Sequence, residues 1–120
     1  MKREAIREFD KMSMEDMRKF LRIIGHKSDS MSNELVESKT FEIVEKDPSK
    51  FIAKWVNNKS KNTEFIIEAA IAKNIIRKSR NLYMYGTETI GSSLDDTISY
   101  LDNKSNQELK LAIMAELESK

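Results

Sequence analysis

The sequence predicts a mainly α fold, a compact helical domain with one β-hairpin. Three observations predict it. Apolar residues recur at spacings of three and four along most of the chain, the period of a helix buried on one side. Three Gly and one Pro are too few for the many tight turns of an all-β protein. Two short β-type runs, 75–78 and 82–85, flank the turn Ser79-Arg80-Asn81, which reads as a hairpin at about residues 75–85.

Residues 3–11 carry Ile6 and Phe9 at i, i+3, so residues 1–12 form either an arm or a short helix. Residues 13–120 read as a single helical domain. Ser13-Met14-Glu15-Asp16 resembles a capping box with Asp in the usual Glu position. Met17, Phe20, Leu21 and Ile24 then share a helical face, and Gly25 is a natural stop. The Ser- and Asp-rich stretch 26–31 is a loop. Ser32 caps a helix from Asn33 to about Lys46, whose inner face is Val36, Thr40, Ile43 and Val44.

Asp47-Pro48 is the sharpest boundary. Asp suits the N-cap and Pro the first helical position. The helix beyond it places Phe51, Ile52, Trp55 and Val56 on one side, with Trp55 expected in the core. After the polar run 57–62, a helix from Asn62 to about Lys73 is apolar nearly all round, which predicts burial. Its exposed positions are expected to be Thr63, Glu64, Glu68 and Lys73. The hairpin follows, and Gly86 and Gly91 punctuate its exit. Ser92 or Ser93 caps the next helix, with Asp95 and Asp96 in the first turn, where the helix dipole favours them. Leu94, Ile98 and Leu101 are its stripe. A last helix, capped by Asn106, carries Leu109, Ala112, Ile113 and Leu117 on one face, and Leu111, Met114 and Ala115 widen it.

The composition excludes several classes of chemistry. With no Cys, a disulfide scaffold, a thiolate zinc site and a cysteine nucleophile are ruled out. His26 stands alone, so no metal site is expected. Adjacent helical positions point about 100° apart, so Asp95 and Asp96 do not share an acid–base site. Phosphate-binding, dinucleotide, nucleophile-elbow and zinc-protease motifs are all missing. No enzyme and no cofactor is expected. Met1-Lys2-Arg3-Glu4 leads into charge rather than an apolar segment, so no signal peptide is expected. No apolar run approaches the roughly 20 residues that span a bilayer. The expected location is cytoplasmic, with no membrane partner.

Charge points to a binding role. The net charge is only +1, but residues 49–82 hold eight Lys or Arg and two Asp or Glu, a net of +6. Such segregation lets one face meet an anionic partner. In the nucleic-acid reading, Arg77, Lys78 and Arg80 hold phosphates at the hairpin. Lys59, Lys61 and Lys73 extend the surface, and Tyr83 or Tyr85 stacks on bases. The plainer alternative is a solvated hairpin with Leu82 and Met84 packed inward and the two tyrosines covering its edge. A protein-docking or assembly role is the other functional reading. It would use the C-terminal helix through Leu111 or Met114, or the Met-rich N-terminal quarter, for a partner or a second copy.

Phe65-Ile-Ile-Glu-Ala-Ala-Ile-Ala-Lys-Asn-Ile-Ile-Arg-Lys followed by Leu82-Tyr-Met-Tyr resembles the helix-then-wing half of winged-helix proteins, over roughly residues 48–91. The resemblance implies DNA or RNA binding, or protein docking. The acidic Glu64 and Glu68 and the nearly all-apolar helix depart from a groove-reading helix. The Lys- and Asn-rich chain also resembles small bacteriophage-encoded proteins, which implies a viral protein acting in a bacterial or host cell.

Overall fold

Four helices start at predicted caps, Ser13, Ser32, Asp47 and Ser93, whereas Asn106, read as the cap of the last helix, ends a 3-10 turn instead. In the computed structural model, which describes residues 1–119, the Ser13 side chain accepts from Asp16 N at 3.0 Å while the Asp16 carboxylate accepts from Ser13 N at 3.2 Å. This reciprocal box satisfies two N–H groups that a helix start otherwise leaves unpaired. Ser32, Asp47 and Ser93 likewise accept from backbone N–H groups at the starts of their helices.

The chain divides into two compact units, Met1–Lys61 and a second that begins at Asn62. The predicted 13–120 stretch is thus shared between them.

In the first unit, α1 (Lys2–Asp10), α2 (Met14–Ile23) and α3 (Asn33–Lys46) are followed by the short α4 (Pro48–Phe51). A π-helical turn, Ile52–Val56, continues α4 and is closed by Asn57 N donating to Ile52 O at 2.8 Å. The N-terminal residues are helical, with Ala5 and Phe9 buried. Phe20, Leu21, Val36, Val44 and Phe51 are fully buried. The Phe20 ring meets Phe51 edge-on, with centroids 5.2 Å apart, and meets Trp55 at 6.4 Å, a geometry the ring quadrupoles favour. Gly25, at φ +96°, closes α2. Gly25 N donates to Arg22 O and His26 N to Leu21 O, the two bonds of a left-handed cap that only Gly adopts without strain. The following loop is pinned by arginines. Arg18 donates to Ser28 O, Met31 O and Asn33 Oδ1, and the buried Arg22 pairs with Asp29 at 2.8 Å.

The second unit begins one residue into α5 (Lys61–Ala72), which ends in the same cap with Asn74 in place of Gly, at φ 61°. Asn74 N donates to Ile71 O and Ile75 N to Ala70 O. The chain then forms β1 (Ile76–Ser79), β2 (Leu82–Tyr85) and β3 (Glu88–Gly91), an antiparallel sheet in the order β1-β2-β3. The sequence predicts a two-stranded hairpin. The third strand pairs Met84 with Thr89 and Tyr85 with Glu88 after a turn at Gly86, and a bulge separates these pairs from Tyr83 and Gly91. Glu88-Thr89-Ile90-Gly91 has one large apolar residue, so its strand character comes from pairing with β2 and from Ile90 entering the core. The unit is completed by α6 (Leu94–Asp102), a 3-10 turn at Lys104–Asn106 and α7 (Gln107–Ser119).

The core of this unit joins Ile67 and Ala70 of α5, Ile76, Tyr83 and Ile90 of the sheet, Leu101 of α6 and Ile113 of α7. Two expectations for α5 are corrected. Thr63 and Glu64, read as exposed, are 4% and 5% exposed. Thr63 tolerates burial because its hydroxyl donates to Asp102 Oδ1 at 2.6 Å and accepts from Lys110 Nζ at 3.1 Å. Lys110 also bridges to Asp102 at 3.1 Å, so one polar knot ties α5, α6 and α7. No helix among the described residues is long and apolar enough to cross a membrane.

Gly91 is required by close approach rather than by φ. A Cβ there would lie 2.1 Å from Thr97 Oγ1 and 2.8 Å from Thr97 N, too close to the backbone of α6 to be relieved by a side-chain rotation. Gly91→Ala is expected to destabilise the second unit by about 1–3 kcal/mol, read as a lower urea midpoint.

Candidate nucleic-acid interface

Pairing register decides what the ribbon offers to solvent. β1 and β2 pair Ile76 with Tyr85, Arg77 with Met84, Lys78 with Tyr83 and Ser79 with Leu82. Directly opposed residues share a face, and the face alternates along a strand. Ile76, Lys78, Tyr83 and Tyr85 therefore lie on one face, and Arg77, Ser79, Leu82 and Met84 on the other. The first of these packs on the core: Ile76 is 1% and Tyr83 4% exposed. Leu82 is 45% exposed. The alternative in which Leu82 and Met84 face inward is thus inverted, because the tyrosines are the residues that reach the core.

The eight residues predicted for the interface separate accordingly. Arg77, Lys78 and Arg80 are exposed and within four positions of one another. Arg80 takes a left-handed conformation, φ 56°, in the tight link between the strands. Arg77 Nη2 donates to Gly86 O at 2.8 Å, which fixes the guanidinium across the β2–β3 turn. Lys78 shares the inward face with Tyr83 yet stays exposed. Its ammonium lies 5.4 Å from the Tyr83 ring centroid, so its stem covers the ring while the charge remains in water. Lys73 is half-buried and donates to Leu117 O at 3.3 Å, where a cation compensates the carbonyl end of α7. Lys59 and Lys61 belong to the first unit. Lys59 is exposed, whereas the Lys61 ammonium sits 4.2 Å over the Trp55 ring. Tyr83 is in the core, so its ring face is not offered to a base. Tyr85 is half-buried at the edge of that core.

Beside the ribbon lies an open cleft of about 660 Å³, lined by Asn74, Ile75, Arg77, Tyr85, Thr87 and Glu116 among others. A hydrogen bond with Glu116 raises the Tyr85 hydroxyl above its ordinary pKa of 10.0, with desolvation adding to the effect. Glu116 Oε2 is buried and has no hydrogen-bond partner among the described residues. Glu116 is a residue the sequence reading passed over. Nothing local marks it, since an acidic residue near the end of a helix reads as a solvated one. Tyr100 donates to Glu88, and this hydrogen bond raises its pKa likewise. Among the described residues no group of three or more His, Asp or Glu side chains is placed to hold a metal ion.

Compared with known proteins, the chain matches no family model, and neither the curated proteins nor the solved structures contain a significant match.

Two of the three tyrosines are expected to ionise above pH 10.0 in an ultraviolet titration of the folded protein. Glu116→Gln should bring one of them back toward 10.0, and Glu88→Gln the other. A raised tyrosine pKa means that the folded state holds its proton more tightly. The stability these pairs contribute is fully present below pH 10.0 and is lost as pH rises through the folded values.

Proposed function

We propose that this chain is a non-enzymatic nucleic-acid-binding module whose contact surface is the β1–β2 ribbon. The observation that carries the reading is the exposure of Arg77, Lys78 and Arg80 on the strand and turn that lead out of α5. Arg77 on the outward face and Arg80 at the tip meet neighbouring phosphates while Lys78 adds charge from the opposite face, and two of these cations are oriented by contacts of their own, Arg77 by Gly86 O and Lys78 by Tyr83. Lys61 and Lys73 are engaged by Trp55 and by Leu117 O, so they contribute less. This is a winged-helix-like use of a ribbon without a groove-reading helix: half of α5 is buried, its remaining stripe of Lys61, Phe65, Glu68 and Ala72 is mostly only partly exposed, and the wing supplies the contact. A cytoplasmic setting, and a viral one, are compatible with this role.

Association should weaken steeply with salt. Arg77→Glu combined with Arg80→Glu is expected to lower oligonucleotide affinity at low salt by at least roughly tenfold. It should also flatten the slope of log K against log salt by about 1.4 for a single strand or 1.8 for a duplex. Fluorescence anisotropy at two salt concentrations reads both. Both side chains are exposed, so thermal melting should be unaltered, and undiminished affinity in the folded double variant would overturn the reading.

A second reading is favoured by one observation. On α7, Leu111 is 62% and Met114 37% exposed one turn apart, while Ile113 beside them is fully buried. An apolar pair of this kind suits a protein partner or a second copy. Under this reading, sedimentation shows association that persists at high salt, and Leu111→Asp with Met114→Asp renders the chain monomeric. A wild-type protein that stays monomeric and retains no protein partner ends it.

A further inference from the structure

We infer that the cleft between the β1–β2 ribbon and α7 is a pocket for one unpaired nucleobase that carries an exocyclic amino group, with Glu116 as the residue that reads it. The inference rests on the nucleic-acid reading of the ribbon and adds to it a site and a preference.

The cleft has the chemistry of a reader rather than of a bare phosphate contact. At its rim is Arg77, which commits one N–H to Gly86 O at 2.8 Å. A guanidinium carries five such donors, so the side chain is held in place and still has donors for a phosphate oxygen. Glu116 lines the same cleft. A carboxylate is an acceptor only, and its Oε2 is buried without a donor among the described residues. A charged acceptor in that state is strongly improved by any N–H brought to it. Tyr85 lines the same cleft, and its ring packs against the core as a fixed wall. Asn74, held at φ 61° by the cap of α5, and Thr87 supply further polar groups around the opening.

A cation and a carboxylate lining one cleft match a nucleotide read through its base edge, with phosphate at Arg77 and an amino group at Glu116. Cytosine, adenine and guanine each present an exocyclic N–H₂ donor. Thymine and uracil present carbonyl oxygens around their single ring N–H, and a carboxylate repels those oxygens. Carboxylate recognition of the cytosine amino group is an established pairing. The base is unpaired in this reading, because entering a cleft walled by the Tyr85 ring takes it out of its stack.

The test is anisotropy with labelled single-stranded oligo-dC and oligo-dT of equal length, first with the wild-type protein, so that no variant needs to fold. Oligo-dC is expected to bind roughly tenfold more tightly, the size of one hydrogen bond to a charged group. Glu116→Gln is expected to bring the two oligonucleotides to parity, because the amide both donates and accepts and so meets the thymine carbonyl as readily as the cytosine amine. If wild type binds oligo-dC and oligo-dT equally, or if Glu116→Gln raises the affinity for both by one common factor, the carboxylate only repels phosphate and the pocket is overturned while the ribbon surface stands. If neither oligonucleotide binds at low salt, the ribbon reading fails and the pocket fails with it.

Discussion

The second unit depends on the register of β1 against β2. Because strand side chains alternate with period two, a slip of one residue would move every side chain to the other face. The observed register sends Ile76 and Tyr83 into the core beside Ile67, Ile113 and Leu101, and therefore sends Arg77 and Leu82 to solvent. It also sets Tyr85 at the margin of the core, where its hydroxyl meets α7. The charge pattern of the ribbon is thus a by-product of core packing. The turn that joins the strands is two residues long, with Arg80 left-handed, so the same register places a cation at the tip.

α5 serves this arrangement as a scaffold. Thr63, Glu64, Ile66, Ile67, Ala69 and Ala70 are all buried along it, and its first turn is held by the Thr63–Asp102–Lys110 knot. The stripe left outside, Lys61, Phe65, Glu68 and Ala72, is mostly only partly exposed and carries an acidic residue, which suits a phosphate-lined groove poorly. The functional contribution of α5 is its exit. The Asn74 cap redirects the chain so that β1 begins one residue after Ile75 and Arg77 arrives at the rim of the cleft. The helix-then-ribbon likeness therefore carries over to the ribbon and not to the helix.

The first unit rests on a different device. Phe20, Phe51 and Trp55 form an aromatic centre, and the π-helical turn at Ile52–Val56 brings Trp55 into it. A regular α-helix from Pro48 would rotate Trp55 by the angle of the one extra residue that the wider turn absorbs. Lys61 then lies over the Trp55 ring, which converts a residue read as part of a basic surface into a partner of that aromatic centre. Loop 26–31, which reads as generic polar chain, is fastened by Arg18 and by the buried Arg22.

What the sequence determined by itself was local. Helix starts at Ser13, Ser32, Asp47 and Ser93, the stop at Gly25, the inward placement of Trp55, and the two strands of the ribbon follow from caps, a left-handed glycine and periodicity, all of which act within a few residues. Tertiary structure decided what depends on distant partners. β3 is a strand because β2 offers it hydrogen bonds. Thr63 is buried because Asp102 and Lys110, far along the chain, satisfy its hydroxyl. Tyr83 rather than Leu82 is inside because the core accepts one face of the ribbon only. Lys61 and Lys73 leave the candidate surface because an indole and a helix end reach them first, and Glu116 enters it because α7 packs beside β2. A single sequence records the side chains a site needs, but which of them meet is set by pairing and burial between segments as far as 44 residues apart, as for Lys73 and Leu117, and no local pattern encodes that.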